Sequence, residues 1–227
     1  MRKRIITLVI SSTAFFSLHA QGTYEIGVLP EFNLGIDLSK VWGIDVELAP
    51  RLETHTGDFG GASDTDVYFG LLDVTAVFNR TIAVDAKLGL GYLSRFEADV
   101  ITHRLIQQYS FTVPYYGFRI GHRFRIDETF SPDEAVEFRA RYRLSSDISL
   151  NGEFIDAGEV YFKIGNEYVG SLQDDHTDLE IRFVPSLGYY FDDANKFEVG
   201  VDYRIDSFLD STANHRFWLN VGYYLSL

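Results

Sequence analysis

Apolar and polar residues take alternate places along most of this chain, in eleven stretches of about ten positions each. The C-terminal stretch is the clearest. Phe217, Leu219, Val221, Tyr223, Leu225 and Leu227 share one parity, while Trp218, Asn220, Gly222, Tyr224 and Ser226 share the other. Successive side chains of a β-strand point to opposite faces, so a period of two predicts a strand with one apolar and one polar face. In the same way Phe118, Ile120, His122, Phe124 and Ile126 alternate with Arg119, Gly121, Arg123 and Arg125. Phe138, Ala140, Tyr142 and Leu144 alternate with Glu137, Arg139, Arg141 and Arg143. Strands are predicted at roughly 24–38, 41–52, 66–78, 81–94, 103–113, 115–127, 135–145, 158–168, 178–191, 196–206 and 214–227. Val67 to Phe78 is apolar on both faces, which leaves its register open.

Length turns this pattern into an architecture. Strands of soluble proteins average about five or six residues, whereas a tilted strand crossing a bilayer needs about nine to eleven. Short connectors are expected at Ser39-Lys40, Asn79-Arg80, Val113-Pro114-Tyr115 and Asp192 to Asn195. Longer ones are expected near 53–65, 95–102, 128–134, 169–177 and 207–213, with 146–157 long where alternation asks for a short turn. Bacterial outer-membrane barrels alternate short and long connectors and normally close with an even number of strands. Trp42, Phe78, Tyr115, Tyr116, Tyr189, Tyr190 and Tyr223 gather beside the short turns, as rings do at a membrane–water boundary. The fold class expected is all-β, an antiparallel transmembrane (outer-membrane) β-barrel of about 10–12 strands.

The chain ends and composition narrow the setting. Met1-Arg2-Lys3-Arg4 precedes an apolar run from Ile5 to Phe16, then Leu18-His19-Ala20. These features predict a signal peptide over 1–20 and a single mature domain over 21–227, exported to the outer membrane of a Gram-negative bacterium. Cysteine is absent, so no disulfide supports the fold. The formal charge of −13 argues against a nucleic-acid partner. Mean hydropathy is −0.05, as expected when apolar and polar faces average out.

Candidate chemistry concentrates on the polar face. Arg104, Arg119, Arg123, Arg125, Arg139, Arg141, Arg143, Arg182, Arg204 and Arg216 are expected to point inward. Glu31, Asp45, Glu47, Asp85, Glu137, Glu167, Glu180, Glu198 and Asp202 supply inward acids. Guanidinium and carboxylate groups pair readily, so this charge stripe either fills a narrow interior or sets the selectivity of a small pore. His55, His103, His176 and His215 are expected on or beside the longer connectors, near acids such as Asp175. That chemistry could take divalent cations, although no tight metal-ligand spacing accompanies it. His122 shares its parity with apolar neighbours and should face outward.

An enzyme would need a converging nucleophile, base and acid. Asp210-Ser211-Thr212 near His215 and Ser171 near Asp175-His176 are the only sets that suggest one, and neither carries a nucleophile motif. No catalytic residue and no cofactor is assigned.

The chain resembles the outer-membrane β-barrel proteins grouped as domain-of-unknown-function family 2490. The resemblance rests on His103-Arg104-Leu105 with Gln107-Gln108, His122 to Ile126, Phe138 to Leu144 and Asn166-Glu167. Arg182 before Gly188-Tyr189 and the terminal Gly222-Tyr223 add to it. It implies an outer-membrane barrel with no established activity. Leu227 departs from the terminal Phe or Trp common in such barrels. The expected function is structural, or that of a porin-like small pore with a charged lumen. Expected partners are lipid and lipopolysaccharide, divalent cations or small solutes, and the barrel-insertion machinery. The alternative is a rim-located hydrolase acting on lipid or peptide.

Overall fold

Every long stretch of alternation becomes a strand in the computed structural model, which describes residues 22–227 apart from 153, 210 and 211. The predicted signal segment, 1–20, lies outside the described residues. The strands are β1 (Thr23–Asp37), β2 (Trp42–Asp58), the two-residue β3 (Ser63–Asp64), β4 (Tyr68–Ala83), β5 (Ala86–Glu97) and β6 (Val100–Tyr115). There follow β7 (Phe118–Phe130), β8 (Glu137–Ser149), β9 (Glu159–Gln173), β10 (His176–Asp192), β11 (Asn195–Asp206) and β12 (Asn214–Ser226). β3 only bridges the end of β2, through Thr56 opposite Asp64 and Gly57 opposite Ser63. The other eleven close into a barrel.

Neighbouring strands along the chain pair antiparallel, and the ring is completed by β1 against β12 in parallel. Eleven is an odd number, so the first and last strands must run the same way, and a parallel seam is the one closure the topology allows. The seam is long and regular, from Thr23 opposite Asn214 to Gly35 opposite Ser226. Beyond it, the Asp37 N–H donates to Leu227 O at 2.9 Å and the Leu227 N–H donates to Gly35 O at 2.8 Å. Gly27 matters here because Trp218 lies across it. A Cβ at Gly27 would come within 2.5 Å of the indole and 2.3 Å of Leu52 O.

Several connectors are shorter than the sequence suggests. β5 and β6 leave only 98–99 between them, and β9 and β10 only 174–175. Ala98 (φ 44°) and Asp174 (φ 51°) take the left-handed conformation that such tight hairpins need, without a glycine to announce it. Asn79-Arg80 and Val113-Pro114-Tyr115 are not turns but lie within β4 and β6. The true turns are 84–85 and Tyr116-Gly117, where Gly117 has φ 79°. The connector 150–158 is long at the mouth where most turns are short.

The two faces are sharply different. Leu90, Ile126 and Leu187 stand exposed on the outer face at 66%, 53% and 55%, whereas Asp127, Glu167 and Arg104 are buried inside at 0%, 1% and 3%. The ambiguous stretch in β4 resolves the same way. Leu71, Asp73, Thr75, Val77 and Asn79 are all buried on the inner face. Asn79 Nδ2 donates to Asp45 Oδ2 at 2.5 Å, which ties β4 to β2 on that side. Aromatic pairs mark the outer surface, among them Trp42 on Phe78 at 4.8 Å and Tyr115 on Phe118 at 5.0 Å. Tyr190 departs from the expected belt. It lies under Lys196, an interior residue, 5.0 Å from the ring centroid.

The parallel seam can be tested directly because the chain has no cysteine of its own. Phe32 and Tyr223 are in register, with ring centroids 6.0 Å apart. Phe32→Cys with Tyr223→Cys should form a disulfide under mild oxidation. Phe32→Cys with Val221→Cys, two residues out of register and beyond the ~7 Å bridging limit, should not. The reverse preference would displace the seam.

Candidate functional site

The densest chemistry lies on the inner wall of β7 and β8. Pairing sets Arg123 directly opposite Arg143 and Arg125 directly opposite Arg141, so four guanidinium groups form a two-by-two patch. Like charges directly across a ladder repel. Two buried acids offset that repulsion. Glu167 on β9 lies 3.0 Å from Arg123, 2.8 Å from Arg141, 3.8 Å from Arg143 and 3.4 Å from Arg182. Asp127 lies 2.5 Å from Arg125 and 3.2 Å from Arg141. Arg182 also reaches Glu180 at 2.5 Å. Five arginines thus share three carboxylates around one stretch of wall.

The arginines are unequally engaged. Arg125 and Arg141 are locked down, with side chains 9% and 8% accessible, while Arg123 and Arg143 keep 27% and 36%. The Nε atoms of Arg123, Arg141 and Arg143 have no hydrogen-bond partner. Arg104 donates to Thr129 Oγ1 at 2.9 Å, a neutral acceptor.

Elsewhere inside, Arg204 again stands opposite arginines, Arg182 and Arg216, and acids pair with the cations. Arg95 holds Asp73 through two bonds of 2.8 Å, with Arg51 at 3.6 Å. Lys163 reaches both oxygens of Glu198 at 2.9 Å, and the Tyr161 hydroxyl donates to Glu198 at 2.7 Å. That position requires the ring of Tyr161 to lie over Gly188, where a Cβ would come within 2.1 Å of it. Arg204 pairs with Asp202 at 2.6 Å, and Arg216 contacts Asp206.

Three cavities follow one another through this interior. The first, about 350 Å³, opens toward the mouth near Asp45, Asp147 and Ile155 of the long 150–158 connector. The second, about 300 Å³, shares Asn33, Glu47, Arg123 and Arg125 with the first. The third, about 510 Å³, shares Arg95, Arg104 and Arg139 with the second and lies among the connectors at the other mouth. Arginines therefore stand at both junctions.

The sequence-expected stripe falls as follows. Arg104, Arg123, Arg125, Arg139, Arg141, Arg143, Arg182, Glu137 and Glu167 have inner-wall positions, while Arg119 stands at the mouth, 54% accessible and 2.7 Å from Asp147. Arg139 pairs with Glu137 of its own strand at 2.7 Å, not with an acid on a neighbouring strand. Arg123 reaches past β8 to Glu167 on β9. Asp85 is exposed in the β4–β5 turn rather than lumenal.

Sequence reasoning missed Arg51, Arg95, Asp73, Asp127 and Lys163. Parity with Asp45 and Glu47 could have placed Arg51, and parity with Arg123 and Arg125 could have placed Asp127. Arg95 fell in a stretch read as a loop.

The metal-ligand candidates do not converge. Among the described residues no group of three or more His, Asp or Glu could hold a metal ion. His55 lies 2.6 Å from Thr65 Oγ1 and stacks on Tyr24. His103 hydrogen-bonds Tyr92 at 2.6 Å, and His215 hydrogen-bonds Tyr203 at 2.8 Å. The His103 and His215 pairs sit in strand ladders, and strand pairing holds the histidines apart. Asp175 occupies the tight β9–β10 turn beside His176 at the start of β10. His122 stacks on Phe111 at 4.6 Å on the outer face. Of the serine sets, Asp210 and Ser211 lie outside the described residues. Ser171 pairs across the ladder with Asp178.

An all-β closed barrel with an apolar exterior and an ionised interior is the class of protein these features define. The chain belongs to the family described as "Protein of unknown function (DUF2490)", whose pattern it matches over residues 27–215. No curated protein and no solved structure matches it.

Glu167 holds the arginine patch together. Glu167→Gln should lower the melting temperature of the refolded barrel, with a loss of about 3–5 kcal/mol, the usual cost of stranding buried partners. Adding Arg143→Gln to that variant should restore part of the loss. An unchanged midpoint in Glu167→Gln would remove Glu167 from this role.

Proposed function

We propose that the protein is an outer-membrane barrel acting as a narrow passage for small charged solutes. The observation that carries this reading is the run of three adjoining cavities from one mouth to the other, with arginines at both junctions. Confined positive groups facing water-sized spaces favour anions and anionic groups.

The exterior supports the membrane setting. Each large apolar side chain left in water forfeits about 1.5–3 kcal/mol, so an apolar belt around the whole barrel favours a lipid surround. The shortest spanning strands, β5 and β11, have 12 residues. At about 3.3 Å per residue and a tilt of about 45°, such a strand spans roughly 28 Å, close to the ~30 Å of a bilayer's hydrocarbon core. Trp42, Tyr115 and Tyr223 suit the boundary on one side, and the Tyr92–His103 and Tyr203–His215 pairs suit the other. The parallel seam leaves no open edge to face lipid.

Two measurements test the reading. The mature protein should fractionate with the outer membrane and migrate faster on gels when unheated. With cysteines at positions 138 and 139 in turn, only 138 should react with a lipid-phase label. Recovery in a soluble periplasmic fraction without detergent would end the membrane reading. In planar bilayers the protein should give discrete conductance steps that prefer anions, and Arg139→Glu should reverse or abolish that preference. Silent bilayers would leave the barrel as a sealed structural element.

A further inference from the structure

We infer that the second cavity is a binding site for small zwitterions, holding a carboxylate on one wall and an ammonium group on the other. The inference rests on the solute-passage reading and gives it a substrate class: amino-acid-like molecules and very short peptides.

The cavity wall is divided by charge. On β7 and β8 stand Arg123 and Arg143, directly opposite each other in the ladder and the most accessible members of the arginine patch. Their shared acid, Glu167, is already divided among four arginines, and Arg143 is held only loosely by it at 3.8 Å. This wall has guanidinium groups to spare. A planar carboxylate is the ligand that two neighbouring guanidinium forks accept best.

The facing wall comes from β1 and β2 and carries Glu31 and Glu47, both lining the same cavity. The register sets Asn33 opposite Glu47, which brings both glutamates to one inner patch close to the seam. Neither glutamate has an ion-pair or hydrogen-bond partner among the described residues. Glu31 interacts electrostatically with Glu47 beside it and with Arg143 and Arg204. Two carboxylates without partners, facing a surplus of guanidinium across a cavity, form a site whose charges are separated rather than paired. A lone anion would satisfy one wall and be repelled by the other. A zwitterion satisfies both. At about 300 Å³ the cavity is at the small end for ligand pockets, which suits a molecule of a few heavy atoms.

The interior carries its own reporter. The chain has two tryptophans. Trp42 is on the outer face, stacked on Phe78. Trp218 is inside, packed on Leu29 and Ala49, with the Arg51 guanidinium 5.9 Å from its ring. Leu29, Ala49 and Arg51 line the cavity in question. In a Trp42→Phe barrel, emission therefore comes from beside the site.

The experiment titrates refolded Trp42→Phe protein in detergent with glycylglycine, acetate and methylammonium, reading Trp218 fluorescence and calorimetric heat in parallel. Gel migration of the unheated protein verifies folding of each variant. Glycylglycine should saturate at a concentration at least about tenfold below either singly charged probe, the factor one charge-assisted contact supplies. Glu31→Gln with Glu47→Gln should erase that advantage while leaving acetate binding in place. Arg143→Gln should weaken glycylglycine and acetate together. Equal affinity for acetate and glycylglycine, or a double glutamine variant that binds glycylglycine as before, would reduce the site to an anion site and overturn the inference. Neither signal nor heat with glycylglycine would also overturn it. Conductance is measured separately, so a conducting barrel without zwitterion preference and a silent barrel that binds glycylglycine are distinguishable failures.

Discussion

Closure through β1 and β12 is the constraint on which the other features depend. Each strand of a closed sheet has both edges paired, and a chain of successive antiparallel hairpins closes antiparallel only when its strands are even in number. With eleven spanning strands the last pair must run parallel, and the chain enters at one mouth and leaves at the other. The seam sets Glu31 opposite Gly222 and seats Trp218 over Gly27, while the antiparallel β1–β2 pairing brings Glu31 near Glu47. A one-residue slip of β1 against its neighbours would turn Glu31 toward the exterior and Phe32 toward the interior. The acid wall of the cavity therefore depends on β1 keeping its register against both β2 and β12.

Once the sheet is closed, its interior is governed by charge rather than by apolar packing. The buried apolar cluster is small: Leu29, Ala49 and Trp218. Specificity among competing inner packings comes instead from ion pairs whose geometry is exacting. Asp73 accepts two parallel bonds from Arg95, and Glu167 lies between four guanidinium groups. Placing arginine opposite arginine twice in one ladder costs stability, and a merely structural interior could have alternated signs. Arg204 likewise stands opposite both Arg182 and Arg216, so arginine rows with acids set beside them recur around the inner wall.

How much of this could be read from the residues differs by level. The strands and their faces were legible because period two survives in most spanning segments, as in Phe197 to Ile205 against Glu198 to Arg204, and β4, apolar on both faces, was the exception. The turns were less so. Ala98 and Asp174 adopt left-handed backbone without the usual residues, so stretches around them read as loops, and Arg95 was taken out of the ladder with them. The odd strand count was visible, but its resolution was not, because parallel pairing of the two chain ends leaves no local signal. The arginine stripe on β6 to β8 was legible from parity. Its partners were not, since Arg123 reaches Glu167 across an intervening strand and that contact is set by side-chain reach and barrel curvature.

The width of the barrel makes the divided wall consequential. In a wide channel water would screen Glu31 and Glu47 from the arginines, and each wall would act alone. Here both walls line one cavity of about 300 Å³, and Glu31 interacts with Arg143 of the other wall. At such short range and reduced dielectric the field between the walls is strong enough to orient a dipolar solute. Collapse of the two walls into direct ion pairs is opposed by the fold, because β1 and β2 are separated from β7 and β8 by paired strands on either side of the ring. Backbone hydrogen bonding thus holds opposite charges apart, and a small solute carrying both charges can complete the pairing that the fold prevents.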